Sequence, residues 1–249
     1  MTRSSLLLLA LAASLAQAQA RPAARPAAAA PTAPSDSTPP GGIPANVLGG
    51  FRFRSIGPAF TSGRIADMAI APDKKTWFAA VASGGVWKTE NAGTTWSPIF
   101  DSQASYSIGT IVLDPRDPNV VWVGTGENNA QRAVAFGDGV YKSEDGGRTW
   151  KNMGLKTSEH IGRIVIDPRD SKIIYVAAQG PLWSEGGDRG LFKSTDGGET
   201  WTKLLSGEKY AGVNDISLDP RNPDIMVAST WQRHRQVWGY IAGDRKSVV

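Results

Sequence analysis

Three near-copies of one nine-residue string constrain the fold of this chain more than its composition does. They are KTENAGTTW (Lys88 to Trp96), KSEDGGRTW (Lys142 to Trp150) and KSTDGGETW (Lys193 to Trp201), and they share Ser/Thr-x-Asp/Asn-x-Gly-x-Thr-Trp. The closing tryptophans are 54 and 51 residues apart. A second landmark keeps nearly the same period: IGTIVLDPRDPNVVWVGTGE from Ile108, IGRIVIDPRDSKIIYVAAQG from Ile161, and VNDISLDPRNPDIMVASTWQ from Val213. A weaker relative, IADMAIAPDKKTWFAAVASG, starts at Ile65. A period in this range marks stacked modules, each burying its apolar faces against its neighbours.

Each module reads as four strands. In the third, Ile161 to Ile166 and Ile173 to Ala178 are short apolar runs separated by a DPRD turn. Gly190 to Lys193 leads into the repeated string, and Trp201 to Leu205 closes the module. Helical spacing is absent, so the pattern predicts an all-β chain, a β-propeller of four-stranded antiparallel blades. The repeats lie at about 57–100, 101–154, 155–206 and 207–243, the last stopping before its third strand. The expected architecture is an incomplete arc of about three and a half blades.

The string sits where the third strand must reverse into the fourth. Asp145 and Asp196, with Asn91 in the first copy, can accept from backbone amides of the turn, and Thr89, Ser143 and Ser194 can add a weaker bond. Gly93, Gly147 and Gly198 supply a backbone conformation that a side chain disfavours. Trp96, Trp150 and Trp201 bury a large ring against neighbouring strands. A calcium loop would place oxygen ligands at alternate positions before the glycine, but Lys142 and Ser143 hold the leading places, so a structural role is expected.

This pattern resembles the Asp-box, or bacterial neuraminidase repeat, of sialidases, family 74 xyloglucan-degrading glycoside hydrolases and sortilin-type propellers. With FRFRSIGPAFTSGRI, GTGE and YKSEDGG, the chain is most similar to large secreted bacterial sortilin-like propellers that often carry a glycosyl hydrolase label. The resemblance covers about Phe51 to Gly243 and implies Asp-box hairpins on every blade. A more distant resemblance is to assembly-factor propellers of photosynthetic membranes.

The ends of the chain read differently. Residues 1–20 carry one early arginine, an apolar run from Leu6 to Ala16 and small residues at Ala18 and Ala20, the features of a signal peptide. That run is too short to span a bilayer. Residues 21–46 are an Ala/Pro-rich linker without apolar period, expected to remain an extended tether. Residues 47–243 form the partial propeller, and 244–249, DRKSVV, match nothing in the other units and read as a non-native tail. The expected localisation is periplasmic or extracellular. An arc cut short in this way is expected to expose strand edges and apolar faces, with function residing in a longer parent.

The formal charge of +4 does not indicate nucleic acid. Arg3, Arg21 and Arg25 lie in the leader and linker against Asp36 alone, so 24 basic and 22 acidic side chains remain, without a basic stripe. No cysteine is present, which excludes disulfides and thiolate metal sites. His160 and His234 have no ligand residue at metal spacing, so neither metal nor cofactor is expected.

Strand alternation places the DPR turns and the repeated strings on one face and the long polar loops on the other, where binding groups concentrate. Those loops carry Glu127, Asn128 and Arg132, then Trp183 and Arg189, then Arg233. Aligned positions at the inner-strand entries hold Asp67, Thr110, Arg163 and Asp215, preceded by Arg64, Ser107, His160 and Gly212. These would ring a channel mouth. Arg64 with Asp67, or Arg163 with Asp215, are equally readable as ion pairs between blades, and Trp183 and Trp231 as sugar platforms or packing.

The favoured function is a binding module for a peptide, protein or polysaccharide, as the sortilin resemblance implies. The alternative is a glycoside hydrolase. A sialidase-like site would need three arginines, a tyrosine–glutamate pair and an acid, and a family 74-like site two separated aspartates. Arg54 is followed by Ser-Ile-Gly-Pro and matches the sialidase opening only superficially. Asp67 and Glu127 are the available catalytic carboxylates, with no spacing that demands the role.

Overall fold

The computed structural model describes residues 64–129, 134–206 and 209–243. The leader, the linker, the FRFR segment, Arg132 and the terminal hexapeptide lie outside the described residues. Among the described residues there is no helix, and the strands form four antiparallel sheets.

The first sheet is β1 (Ile65–Ile70), β2 (Trp77–Val81), β3 (Gly85–Thr89) and β4 (Ser97–Pro98). The second is β5 (Ile108–Leu113), β6 (Val121–Thr125), β7 (Val140–Ser143) and β8 (Lys151–Asn152), and the third β9 (Ile161–Ile166), β10 (Ile174–Ala178), β11 (Gly190–Ser194) and β12 (Thr202–Leu205). The fourth contains β13 (Ala211–Asp219), β14 (Asn222–Gln236) and β15 (Gly239–Ala242). Every strand pairs with its sequence neighbour, and β1, β5, β9 and β13 adjoin one another at the centre. This is the expected incomplete propeller.

One boundary differs. The sequence reading ended the fourth unit before a third strand, but β15 pairs with Arg233–Gln236 across a tight turn at Val237 and Trp238. Four residues are too few to show a period of two in the sequence.

Alternation along the second strand of each blade explains why these runs are apolar on both faces. Val121 and Val123 enter a cluster with Phe78, Val86 and Phe100 of the first blade, while Trp122 between them enters a cluster with Ile164, Ile174 and Phe192 of the third. In β10, Ile174 and Val176 face the second blade, whereas Tyr175 and Ala177 join Val213 and Ile216 of the fourth. Burying one such side chain is worth about 1.5–3 kcal/mol, so each blade is held mainly by its neighbours. At the two ends of the arc that cover is missing among the described residues: Met68 and Ile70 on β1, and Ile225 and Val227 on β14, are exposed.

The repeated strings form one hydrogen-bonded turn three times. The Ser143 hydroxyl accepts from the Gly147 amide at 2.8 Å and donates to Asp145 at 2.8 Å. Asp145 in turn accepts from the amides of Arg148 and Thr149 and, at 2.6 Å, from the Thr149 hydroxyl. Ser194, Asp196, Gly198 and Thr200 repeat these bonds, and Thr89, Asn91, Gly93 and Thr95 form the same turn with an amide in place of the carboxylate, so that Asn91 donates to the Thr95 hydroxyl instead of accepting from it. The Thr149 and Thr200 hydroxyls, with the turn amides, hold the Asp145 and Asp196 carboxyls far below the usual carboxylate range.

The indoles then tie one blade to the preceding one. Trp150 donates to the Ile99 carbonyl at 2.8 Å and Trp201 to the Met153 carbonyl at 2.7 Å, whereas Trp96 donates within its own turn to Gly93. Each turn also meets the reversal between its blade's first two strands: the amides of Ala92, Gly146 and Gly197 donate to the carbonyls of Lys75, Asn119 and Lys172. Both sets of short turns therefore occupy one face.

Two adjacent glycines in the third turn separate backbone strain from crowding. Gly197 has φ +77° with nothing near a substituted Cβ, while Gly198 has φ +94° and a Cβ there would lie 2.5 Å from the buried Trp122 ring. Gly197→Ala is expected to destabilise the fold by about 1 kcal/mol, the cost of a left-handed side-chain residue. Gly198→Ala adds overpacking of roughly 1–3 kcal/mol. Urea unfolding of both variants should show the larger drop in midpoint for Gly198→Ala; equal drops would mean that the ring yields freely.

Candidate functional site

Each inner strand carries an irregularity at the same place. The register slips at Ala66 in β1, Gly109 in β5, Gly162 in β9 and Asn214 in β13. Such bulges turn the chain and re-aim the next side chain. Two of them need glycine: a Cβ on Gly109 would lie 2.2 Å from the Ile161 carbonyl oxygen, and one on Gly162 2.0 Å from that of Asn214. Backbones of successive blades meet there without intervening side chains.

The residues after the bulges, Asp67, Thr110, Arg163 and Asp215, are brought together. Thr110 donates its hydroxyl to Asp67 at 2.8 Å, and the Ile111 amide donates to the same oxygen. Arg163 donates through Nε to Asp215 at 3.0 Å, and its Nη1 lies 3.6 Å from Asp67. Arg163 of the third blade thus joins the first and the fourth. Around this cluster lies a polar cavity of about 410 Å³, lined by Asp67, Asn128, Arg163, Asn214, Asp215 and Trp231 with the bulge backbones.

A buried layer positions the wall. Asn128 donates to the Gly109 and Gly162 carbonyls at 3.2 and 3.1 Å, bridging two bulges. Gln179 donates to the Asn128 carbonyl and to the Asn214 side chain, and its side-chain Oε1 accepts from Arg233. Arg233 also donates to the Asn129 carbonyl at 2.9 Å and covers the Trp231 ring at 4.8 Å. Arg189 donates to the carbonyls of Gln179, Pro181 and Tyr210. Burial pulls the pKa of both guanidinium groups down.

Several residues expected at the channel mouth therefore lie beneath it. Glu127, His160, Arg189 and Arg233 are all at most 4% exposed. Glu127 is engaged by Arg64 and Asn129, so Arg64 pairs with Glu127 instead of Asp67. The loops fold back over the blade ends, and the guanidiniums satisfy carbonyls that hairpin pairing leaves over. Trp183 is exposed, with Arg235 at 5.8 Å from its ring, but it lies outside the polar cavity. Gln179 and Asn214, which hold the wall, were not singled out in the sequence; their only signal was polarity next to an apolar strand or inside one.

Relatives agree on the architecture. Residues 138–246 match the Sortilin-Vps10 family model, described as "Sortilin, neurotensin receptor 3". The xyloglucanase Xgh74A of Acetivibrio thermocellus is 29% identical over 161 residues, 59% of this chain and 18% of that protein. A xyloglucanase of Hypocrea jecorina is 27% identical over 179 residues, 66% of this chain and 20% of its own length. Among solved structures, an ancestral GH74 enzyme superposes with a TM-score of 0.56 at 19% identity, covering 68% of this chain and 22% of that one. The Niastella koreensis GH74 enzyme gives 0.52 at 25% identity, covering 66% and 25%. The chain thus spans about a fifth of the length of the xyloglucanases it matches. These likenesses support a β-propeller of the sortilin-like, glycosyl-hydrolase-labelled kind.

His160 makes this buried layer sensitive to acid. Its Nδ1 lies 2.8 Å from the Glu127 carbonyl oxygen, which the ring meets as an N–H donor, and burial, with the Arg233 and Arg189 charges, pushes its pKa down to about 3. The unfolded chain takes up this proton near pH 6.5, so stability is full above that pH and declines as pH falls toward 3. Between pH 7 and pH 5 the loss is about 2 kcal/mol, at 1.36 kcal/mol per unit of pH. Urea unfolding across that range should show the slope, and His160→Gln should flatten it. An unchanged slope in the variant would assign the acid sensitivity elsewhere.

Proposed function

We propose that this propeller stretch is an exported binding module whose loop-side channel mouth recognises a polar ligand, a peptide or a glycan. The carrying observation is the cavity in which Asp67, Asn128, Arg163, Asn214 and Asp215 converge beside the Trp231 ring. Planar amides, carboxylates and a guanidinium beside an aromatic face provide directional hydrogen bonds and a stacking surface. Most of these side chains are already held by protein partners, so little ordering entropy is lost when a ligand arrives.

Hydrolysis asks for more. A glycosidase places an acid and a second carboxylate on either side of the scissile bond. Glu127 is fully buried beneath Arg64 and Asn129, and the Asp67 oxygens are occupied by the Met68 and Ile111 amides, the Thr110 hydroxyl and Arg163. Glu127 presents no open oxygen to a substrate, and the Asp67 oxygens that line the cavity already hold protein donors. The sequence likeness to xyloglucanases favours glycoside hydrolysis as the second reading, with the reacting groups on blades beyond this stretch. Export rests on the leader-like residues 1–20; among the described residues no helix is long and apolar enough to cross a membrane.

Xyloglucan separates the two readings. In affinity electrophoresis the binding reading expects retardation of the chain, weakened about tenfold by Trp231→Ala, with no release of reducing ends. Reducing-end release by the longer parent protein would establish hydrolysis instead, and its survival in Asp67→Asn would place the reacting groups outside this stretch. Migration unaffected by the polysaccharide would exclude this glycan and leave peptides as the ligand class.

A further inference from the structure

One ionic cluster divides the axial space into two chemically distinct compartments. Arg163 and Asp215 line the polar cavity on the loop side and also a second cavity of about 570 Å³ on the turn side. The turn-side walls are Val112, Val165 and Leu218 from the three successive inner strands β5, β9 and β13, and the rim is Pro115, Pro168 and Pro220 from the DPR turns that follow. The repeat places a proline at matching positions in three blades and a valine in two of them, with Ser217 at the third valine position and Leu218 beside it, and the ion pair forms the floor.

The ion pair at the floor belongs to a cluster with an excess of carboxylates, although Asp67 itself lines only the loop-side cavity. One guanidinium faces two carboxylates, Asp215 at 3.0 Å and Asp67 at 3.6 Å. Asp67 accepts from the Met68 amide on Oδ1 and from the Ile111 amide and the Thr110 hydroxyl on Oδ2. Asp215 takes Arg163 and the Ile216 amide on Oδ1, while its Oδ2 receives no hydrogen bond among the described residues. At the rim, Asp219 is held by Arg221. An anionic occupant would meet the Asp215 carboxylate while the Arg163 guanidinium is already engaged by two aspartates, and a purely apolar one would press hydrocarbon against a half-exposed carboxylate oxygen and strip its hydration.

We propose that the turn-side compartment receives a lysine or arginine side chain of a peptide partner. The aliphatic stem lies along Val112, Val165 and Leu218 beneath the proline rim, and the cationic head donates to Asp215 Oδ2. The chain as a whole carries a net charge of +4, so general electrostatics disfavour basic peptides, and binding must come from this local complementarity. The site is at the other end of the channel from the loop-side cavity and does not rest on the function proposed above.

The test titrates the isotopically labelled full chain, followed by amide NMR at 150 mM salt, with acetyl-Gly-X-Gly-amide peptides. X is lysine, arginine, norleucine or diaminopropionic acid. Lysine and arginine should shift the Val165 and Leu218 signals, and both norleucine, which keeps a stem without charge, and diaminopropionic acid, which keeps charge on a short stem, should bind at least tenfold more weakly. Asp215→Asn should cost the lysine peptide about tenfold and bring it close to norleucine. Because Asp215 also faces the loop side, Val165→Thr serves as a second variant, weakening the lysine peptide severalfold through the stem alone. Norleucine binding as tightly as lysine, diaminopropionic acid doing so, or shifts absent from Val165 and Leu218 would each overturn the assignment.

Discussion

Contact between neighbouring blades is the constraint on which the rest of this structure depends. A single four-stranded sheet here has two apolar faces and cannot satisfy either one alone. The indoles of Trp150 and Trp201 couple that burial to a directional bond, each donating to a carbonyl of the preceding blade at 2.8 and 2.7 Å. Phe100 meets both the Trp150 and Tyr141 rings edge-on at 5.1 Å, so the same indole also packs into the cluster between the first two blades. Nearest-neighbour stabilisation of this kind fixes the spacing and tilt of successive inner strands.

The two faces of the arc differ because they are built from different turns. On the turn face, short reversals are linked from blade to blade: Arg116 donates to the Arg169 carbonyl, Ser171 to Asp114, and Arg169 to Asp167 and Asp224. The DPR string thus works as a brace between blades as well as a reversal within one. Lysines that open the repeated strings add to this order, with Lys88, Lys142 and Lys193 lying 5.3 to 5.6 Å from the rings of Phe78, Trp122 and Tyr175. On the loop face, order comes instead from buried polar groups that saturate carbonyls, and it is there that His160 responds to acid. The clasp carboxyls at Asp145 and Asp196 are held below the usual carboxylate range and stay ionised between pH 7 and pH 5, so acid in that range should loosen the loop face first.

Strands and hairpins were legible because they depend on local rules. Alternation, a Gly-containing reversal and a fixed period identify β9 to β12 without coordinates, and even Ala92, which stands where the other turns have glycine, adopts the same left-handed conformation at φ +55°. The site was legible only in part, since its residues are aligned in sequence but aimed by bulges. A slip of one residue at Gly109 or Gly162 reverses which way the following side chain points, and counting by two cannot detect it. Arg189 and Arg233 illustrate a second limit. Charged residues in polar loops read as exposed, yet here they are interior because leftover carbonyls of folded-back loops supply enough acceptors.

Arg163 connects these levels. Its side chain bonds Asp215 of the fourth blade and approaches Asp67 of the first, while the glycine before it lets the third and fourth blades touch through their backbones. A ligand that draws on Asp215 or Arg163 from either compartment must share groups that also join three blades. Ligand binding and blade packing are therefore linked through the same few charges, and a molecule that completes their hydrogen bonds without displacing Arg163 stabilises the arc as it binds. One that replaces Arg163 on Asp215 gives back part of its binding energy to the packing it disturbs. This reciprocity favours ligands that add to the cluster, which is what the unmatched oxygen of Asp215 permits.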